Sequence, residues 1–461
     1  MTASAPERVG IDRLRSVVTG PVHQAGDDGI TAETAGANLA FAHTPAVAVG
    51  AATVEDVVAA VRYAAEAGLP VAVQGTGHGS TCPIDGAVLI STRRLTGVEV
   101  DPTAGRARVQ PGARWSHLLA EAQPHGLAGL VGSYTGVGVL GYTLGGGLSP
   151  VLGRRYGFAA DLVRSLDLVT ADGQVRRVDA DSEPDLFWAV RGGKGNFGVA
   201  TSLEFDLVPV RRFYGGGLFL PWSSAPEVLH AFSTWSLDLP EEASSSVALL
   251  RLPPAPDLPE PLRGQSVVHL RFSHLGGADE AERLLAPMRA VAKPIIDNVG
   301  ELPMSASDAV HMDPTDPLPF WYGSSLLREL PEAAVEALLG AAWASDSPLI
   351  MMEVRRMGGA LGRQPAVPNA VVGRDGQFQV FPLGLMIPEL AGVVPGVAEA
   401  VVRAVDPWAT GSSLVNFSGC GRTAEQIRAV YPADSRERLL GIKRAVDPGD
   451  MFRFGDATGS G

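Results

Sequence analysis

Hydrophobic and polar positions in the first 90 residues predict a strand, a helix and a second strand. The apolar run at 46–50 has the length and composition of a buried strand. Residues 53–68 follow a helical period, with Thr53 suited to cap the helix and Gly68 suited to end it. A second apolar run, at 71–74, again predicts a strand. We therefore expect a β-α-β unit with a loop directly after its second strand.

The same two periods predict the elements that follow, up to residue 207. Strands are expected at 87–91, 106–110, 161–170, 174–178 and 199–207, and helices at 11–18, 115–125 and 185–191. Residues 171–173, Ala-Asp-Gly, form a turn sequence. The strands on either side are therefore expected to pair as a hairpin.

The pattern changes after about residue 210 to long alternating strands separated by helices. Strands are expected at 246–252, 266–273, 349–356 and 377–381, and helices at 279–290, 331–344, 423–430 and 435–445. Such strands suit an antiparallel sheet with helices on one face and a cleft or solvent on the other. The expected fold class is therefore α+β.

Three glycines surround one histidine in the loop that follows the strand at 71–74. Gly75, Gly77 and Gly79 allow the backbone to turn and its N–H groups to point at an anionic ligand such as phosphate. Phosphate binding alone does not require His78. This residue is a phosphate donor, a base or a nucleophile, and the loop by itself does not decide among these roles.

Two further glycine-rich segments carry information about a ligand. Residues 132–147 hold too many glycines for a regular helix, yet apolar residues stay interleaved among them, so we expect a buried, ordered loop along a large ligand. Residues 193–198 spell GxGxxG. The dinucleotide fingerprint needs a strand before that motif and a helix after it, and here the order is reversed. A Rossmann site is therefore rejected.

Composition narrows the class of protein. A chain of 461 residues is expected to form two or three domains, and a net charge of −13 argues against nucleic acid or an anionic membrane as partner. Cys82 and Cys420 form no disulfide framework and no zinc or redox motif, so no metal is expected. Residues 1–8 show no apolar leader, and no long uncharged apolar stretch occurs, which indicates a cytoplasmic protein.

Several motifs, taken in order, resemble the berberine-bridge-enzyme-like FAD-linked oxidases of the p-cresol methylhydroxylase and vanillyl-alcohol oxidase superfamily. The resemblance spans about residues 40–455. The matching segments are Gln74–Gly79, Val137–Gly147, Arg155–Gly157, Leu168–Gly173, Asp185–Gly193, Gly195–Gly198, Gly358–Ala360, Val415–Phe417 and Asp447–Arg453.

The resemblance implies a PCMH-type FAD-binding domain of two subdomains at residues 1–210, with its core at about 41–210. It also implies an α+β substrate-binding domain with an antiparallel sheet at 211–410. The C-terminal segment, 411–461, is expected to return to the FAD domain. A small molecule and O2 are the expected partners, and the oligomeric state stays open.

The resemblance also assigns residues to the cofactor. His78 is implied to be bonded to the flavin 8α position, which suits a neutral imidazole nitrogen. Many relatives carry a second link from a cysteine where this chain has Tyr134, so we expect a single attachment. Val137 matches a position beside the flavin where valine favours reaction with oxygen. The remaining expected contacts are Gly75, Thr76, Gly77, Gly79, Ser80, Gly138, Gly141, Thr143, Gly146, Gly147, Val199 and Asn416.

The catalytic base departs from the family pattern. Many relatives use a tyrosine at the position of Leu414, two residues before Asn416. Glu353 is the best substitute, and we expect a carboxylate near an apolar flavin to have a raised pKa. Since residues alternate along a strand, Glu353 and Arg355 share a face, directed to the cleft or to solvent. Further candidates are Tyr142, Tyr322, His269 and His311.

The expected activity is hydride transfer from a hydroxyl-bearing small molecule, expected to be a secondary metabolite, to a covalently held flavin that O2 reoxidises. The alternatives are a flavin-dependent oxygenase acting on a polyketide, a sugar or oligosaccharide oxidase, and a flavin-binding protein without turnover. The region 211–410 is rich in Leu, Val, Pro and Met, which favours an apolar substrate.

Overall fold

The computed structural model describes residues 10–344 and 346–455. The N-terminal stretch 1–8, on which the expectation of no leader rests, lies outside the described residues. Among the residues that are described, no helix is long and apolar enough to cross a membrane.

The first sheet along the chain has four strands, in the order β1-β2-β4-β3. Its strands and the helices of this region are β1 Val22–Gln24, β2 Val47–Gly50, β3 Val71–Gln74, β4 Val88–Ser91, α1 Ile11–Val17, α2 Ile30–Thr34 and α3 Val54–Ala67. Strands β2 and β3 both run parallel to β4, and α3 connects β2 to β3. The predicted β-α-β unit is therefore present, and its loop leaves β3 towards β4.

Helix α3 shows why this unit forms as predicted. The Thr53 hydroxyl accepts a hydrogen bond from the Asp56 N–H at 3.1 Å, and Asp56 in turn accepts one from the Thr53 N–H. Gly68 ends the helix in the left-handed conformation, at φ 65°. The apolar stripe of α3 packs on β2, β3 and β4 through Val57, Val61, Ala64, Val49, Val71 and Ile90.

A second sheet is antiparallel, in the order β5-β6-β9-β7-β8. Its elements are β5 Val98–Asp101, β6 Arg106–Val109, β7 Val163–Val169, β8 Val175–Asp179, β9 Val199–Asp206, α4 Trp115–Ala122, α5 Val139–Leu144, α6 Gly153–Tyr156 and α7 Pro184–Gly193. The predicted hairpin is formed by β7 and β8. The expectation that 132–147 holds no regular helix is wrong for 139–144, since Gly141 alone lies inside that helix.

The third sheet has nine strands and is antiparallel, with the main order β13-β10-β12-β11-β17-β18-β15. Its strands are β10 Arg212–Pro221, β11 Ala243–Arg251, β12 Ser266–His274, β13 Ile296–Asp297, β14 Gly300–Pro303, β15 Phe320–Tyr322, β16 Ser325–Leu327, β17 Leu349–Arg356 and β18 Phe378–Leu385. Strand β14 pairs with β10, and β16 pairs with β18. The predicted α+β class with an antiparallel sheet is confirmed.

One face of this sheet forms an apolar core with four helices, α8 Ala225–Trp235, α9 Ala278–Arg289, α10 Glu332–Ala342 and α11 Val394–Ala404. Alternate strand residues supply that face, among them Leu218, Val247, Leu270, Met352 and Val354. The residues between them point to the opposite face. The apolar residues that the sequence shows in this region thus belong to the helix-covered side.

The last two helices are α12 Ala424–Arg428 and α13 Ala433–Val446. Leu439 of α13 packs into the core that holds Phe187 and Trp188 of α7. Phe452 packs with Val71 and Val199, in the core beneath the first sheet. The C-terminal segment is therefore attached to both of the first two sheets.

Candidate functional site

In the glycine loop after β3, backbone carbonyl groups accept hydrogen bonds from the protein, while several backbone N–H groups are left available for a ligand. Thr76 O and Gly77 O accept hydrogen bonds from the N–H groups of Ala37 (2.9 Å) and Asn38 (3.4 Å). Gly77 has φ +73°, and a Cβ on it would lie 2.5 Å from the Gly36 Cα. Within the described part of the chain, the N–H groups at 76–79 have no protein acceptor. Such a run of free N–H donors is suited to a phosphate group.

His78 lies in this loop with a neutral ring. Its Nδ1 is 3.1 Å from the Thr76 hydroxyl, and its ring centroid is 5.9 Å from that of Tyr134. Burial, helped by the positive charge of Arg114, lowers the pKa of His78 to about 4. A neutral imidazole keeps a nitrogen lone pair at pH 7, as a nucleophile or hydrogen-bond acceptor requires. Ser80, at the end of the loop, accepts a hydrogen bond on its carbonyl from Asn38 at 3.1 Å.

The second glycine-rich segment lies against this loop. A Cβ on Gly138 would be 3.6 Å from the Thr76 hydroxyl, and a Cβ on Gly141 would meet nothing within 4 Å. The Thr143 hydroxyl is buried without a hydrogen-bond partner in the described residues. Asn416 anchors the segment by donating from its side chain to the Tyr142 carbonyl at 2.7 Å. The two segments thus form the walls of one cleft.

Four of the predicted cofactor residues also make packing or backbone contacts within the protein. Gly146 and Gly147 have φ values of +108° and +75° and are buried, and a Cβ on Gly147 would lie 2.6 Å from Ala159 Cβ. Val199 is fully buried in the core that contains Phe452. Val137 is half-buried, and its carbonyl accepts a hydrogen bond from the Trp115 N–H at 3.1 Å.

A polar face lies opposite the helix-covered side of the large sheet. Ser246 pairs across strands with Arg271 and with Arg355, while Glu353 pairs with Ala248 and Phe381. Paired residues point to the same side of a sheet, so these side chains share one face. Glu353 and Arg271 are each only 2% exposed. Glu353 is therefore directed inward and not to solvent.

Glu353 is surrounded by positive charge. Its carboxylate lies 3.0 Å from a guanidinium nitrogen of Arg355, 3.0 Å from one of Arg271 and 3.7 Å from Nε2 of His311. Burial alone would raise the pKa of Glu353, but the Arg355 and Arg271 charges outweigh it and hold the pKa well below its ordinary value. The expected rise in pKa is therefore wrong. Glu353 is ionised at neutral pH and is a weak base.

The two histidines beside Glu353 are neutral. Burial, reinforced by the charge of Arg271, lowers the pKa of both His269 and His311. His269 stacks on Phe219 with ring centroids 4.1 Å apart and accepts a hydrogen bond on Nδ1 from Arg271 at 3.2 Å. Neither ring nitrogen of His311 has a hydrogen-bond partner within the described residues. His311 thus combines a free lone pair with a nearby carboxylate.

The polar face reaches the cleft through two sets of contacts. The Arg355 guanidinium lies 5.7 Å from the ring centroid of Phe417, the residue after Asn416. The Asp308 carboxylate accepts hydrogen bonds from Thr135 N–H at 2.8 Å and from its hydroxyl at 2.7 Å. The Glu353 cluster therefore adjoins the glycine segments.

The remaining candidates for the base are less suited. Tyr142 packs edge-on against Trp115 at 5.4 Å, and burial raises its pKa well above the ordinary value, so its hydroxyl stays protonated. Tyr322 is buried with its ring 5.4 Å from Phe381 and shares the sheet face of Glu353. Leu414 is buried in an apolar cluster and offers no proton acceptor. Arg154, at the edge of the polar face, was not among the residues singled out in the sequence, although it directly precedes the Arg155–Gly157 motif.

The cleft residues fit FAD. Free N–H donors at 76–79 suit its diphosphate, the unpartnered Thr143 hydroxyl offers a further polar contact, and the neutral His78 lies where the two segments meet. A family model described as FAD binding domain matches residues 45–179, which include both glycine segments.

Comparison with characterised proteins gives the same result over a longer stretch. The chain is 29% identical over 413 residues to (R)-6-hydroxynicotine oxidase of Paenarthrobacter nicotinovorans, covering 86% of this chain and 87% of the relative. It is 25% identical to the xylooligosaccharide oxidase of Thermothelomyces thermophilus, covering 99% and 96%.

A solved structure of 6-hydroxy-D-nicotine oxidase from Arthrobacter nicotinovorans superposes with a TM-score of 0.80 at 25% identity, covering 95% of this chain and 97% of that one. The ordered motifs, the FAD-binding match and the full-length similarity in sequence and fold agree. The chain is similar in sequence and fold to berberine-bridge-enzyme-like FAD-linked oxidases, and it is an FAD-linked oxidoreductase.

Proposed function

We propose that this FAD-linked oxidase oxidises a hydroxyl-bearing small molecule in the space between the glycine segments and the polar face of the large sheet. When bound, FAD supplies the hydride acceptor and passes the electrons to O2. The observation that supports this location is the buried group of Glu353, His311, Arg271 and Arg355 next to Phe417 and Asn416. This group brings four titratable side chains together beside the cleft.

The proposed proton acceptor is His311, with Glu353 as its positioning partner. A base must take the hydroxyl proton as the hydride leaves. His311 is neutral with free ring nitrogens, whereas Glu353 is too weak a base for this task. The carboxylate, 3.7 Å away, stabilises the positive charge that His311 acquires. This pair would take the role of the tyrosine that many relatives have at the position of Leu414.

The proposed attachment of the cofactor is a single bond from His78. Tyr134 stands where many relatives have a second, cysteinyl attachment, and its ring lies against that of His78. The low pKa of His78 supports the nucleophilic role, since the unprotonated ring is the reactive form. Val137, at the edge of the cleft, supports O2 as electron acceptor by resemblance alone.

The substrate is proposed to be polar. The Leu, Val and Met residues that favoured an apolar substrate lie on the helix-covered face of the sheet, as Val247, Leu270 and Met352 show. The face towards the cleft carries arginine, histidine, glutamate and serine. This distribution leaves a sugar-like substrate as the second candidate.

The test is anaerobic mixing of the holoenzyme with sugars, sugar acids and aromatic alcohols. Loss of flavin absorbance without oxygen, and one hydrogen peroxide per product in air, are expected for at least one class. Labelled oxygen in the product would instead indicate an oxygenase. If no class bleaches the flavin, the protein binds flavin without this turnover.

The roles of His311 and Glu353 have their own readout. The variant H311Q is expected to slow flavin reduction by about 10²–10⁴-fold. H230Q is the matched control, because His230 lies in a half-exposed pair with Glu336. Glu353 raises the pKa of His311, so E353Q is expected to move the rising limb of the pH–rate profile to lower pH. A profile that keeps its position would contradict the pairing.

A further inference from the structure

We propose that the substrate carries a carboxylate, which Arg154 and Arg271 bind at the edge of the polar face beside the serines of β11 and β12. The inference rests on the proposed function and narrows its substrate to a hydroxyl-bearing acid. It is supported by three observations, which concern charge, unpartnered donors and space.

The buried charges do not balance. Arg154, Arg271, Arg355 and Arg356 line this edge and are 4%, 2%, 7% and 9% exposed, while Glu353 is a buried carboxylate that pairs with Arg271 and Arg355. The buried charges at this edge are therefore positive in sum. Two further acids are partly exposed: Asp313 is 30% exposed and 3.9 Å from Arg271, and Glu241, whose charge acts on Arg154, is 35% exposed and paired with Arg363. Such an excess in a site of low water content is costly unless an anion balances it.

Several buried donors in this group have no acceptor among the described residues. Arg154 donates one hydrogen bond, from Nη2 to the Leu239 carbonyl at 2.9 Å, while its Nε and Nη1 have none. Burial lowers the pKa of Arg154 to about 10, so the guanidinium is still charged at pH 7. The hydroxyls of Ser246 and Ser273 are likewise unpartnered. Buried donors without acceptors are rare in folded proteins and mark a place for a ligand or water.

The Arg271 guanidinium is only partly used by Glu353. Its Nη1 lies 3.0 Å from the carboxylate, but the N–H direction makes no aligned hydrogen bond. Its Nε bonds to His269. Arginine binds carboxylates through two parallel hydrogen bonds, and both Arg154 and Arg271 have donors available for this arrangement.

A small cavity lies among these donors. Its walls come from the segment that follows the second glycine-rich stretch and from the sheet, namely Leu148, Ser149, Arg154, Ser246, Ser273 and Arg271. Its volume of about 10 Å³ is close to what one water molecule needs. The cavity therefore suits a small charged end of a substrate and not a ring. A carboxylate oxygen placed there would offset part of the excess positive charge.

The test compares acids with their neutral counterparts on the holoenzyme. The pairs are glucuronate with glucose and mandelate with methyl mandelate for flavin reduction, and benzoate with benzamide for binding, read from flavin absorbance and thermal shift. The acids are expected to bind and to reduce the flavin preferentially. R154Q is expected to weaken benzoate binding about 10–100-fold while leaving that of benzamide unchanged. R164Q, an exposed arginine paired with Asp206, is the matched control.

R154K is the control for a folding defect, because it keeps the positive charge and removes the paired N–H donors of the guanidinium. It is expected to bind benzoate more weakly than the native protein and more tightly than R154Q. Equal binding of acids and amides, equal effects of chloride and benzoate, or unchanged benzoate binding in R154Q would overturn the proposal. If acids bind through Arg154 but never reduce the flavin, the proposed oxidation fails and the anion site stands. If only neutral compounds reduce the flavin, the anion site fails and the proposed oxidation stands.

Discussion

Removal of the Lys443 ammonium should destabilise the protein strongly. Lys443 is 4% exposed and donates to the carbonyl groups of Asn196 and Phe452, both at 2.9 Å, and to the Asp447 carboxylate at 2.5 Å. These three bonds use all three donors of the ammonium. They attach α13 and the chain after it to the turn that follows α7.

The variant K443M keeps the length of the side chain and removes the charge. It leaves the Asp447 carboxylate, 2% exposed, with the N–H groups of Met451 (2.9 Å) and Phe452 (2.8 Å) as its remaining partners. Breaking a buried ion pair in this way costs about 3–5 kcal/mol. For a cooperative unit of several hundred residues, that loss lowers the melting temperature by about 3–10 °C.

The assay is thermal unfolding of the holoenzyme, followed by circular dichroism and by flavin fluorescence at the same time. The double variant K443M/D447N removes both charges, keeps an oxygen acceptor for the N–H groups of Met451 and Phe452, and is expected to recover part of the loss, because the uncompensated carboxylate is gone. A melting temperature of K443M within 1 °C of the native protein, or a double variant less stable than K443M, would refute this reasoning.

Three further predictions concern stability. T53A removes the hydroxyl that caps α3 and should cost about 1 kcal/mol in the free energy of unfolding, whereas T53S should cost little; chemical denaturation compares them. F272A empties a fully buried position in the core of the large sheet and should cost about 3–5 kcal/mol, with F272L much milder by the same measurement. The folded-state pKa of Glu353 lies below its ordinary value of 4.5, so its ionised form stabilises the protein above that pH and the contribution is lost as pH falls through the folded pKa. The stability difference between the native protein and E353Q should therefore be largest near pH 7 and shrink in acid; a difference that grows in acid would contradict this sign.

Elements with a clear period could be predicted from the sequence, whereas elements with many glycines could not. Strand β10 was not predicted, because Gly215, Gly216 and Gly217 interrupt its alternation. The structure gives a reason for Gly217: a Cβ there would lie 2.0 Å from the His269 ring. Helix α5 was missed for a related reason, since glycines flank it on both sides.

Candidate site residues could be named from the sequence, but their electrostatics could not. Alternation along β17 placed Glu353 and Arg355 on one face, but only the packing of α8–α11 decides which face is open to the cleft. The expected direction of the Glu353 pKa was wrong because the charge of Arg355 on the same strand, and that of Arg271, which approaches from β12 across β11, outweigh burial. The separation of Arg271 and Glu353 along the sequence gives no indication that their side chains meet.

The attachment of the flavin is the most direct test of this account. Purified protein is precipitated with acid, washed, digested and examined by peptide mass and by absorbance. We expect the pellet to stay yellow, with the added mass of FAD on the peptide that contains His78 and on no peptide that contains Cys82 or Cys420. A colourless pellet, or FAD mass on a cysteine peptide, would contradict the single attachment through His78.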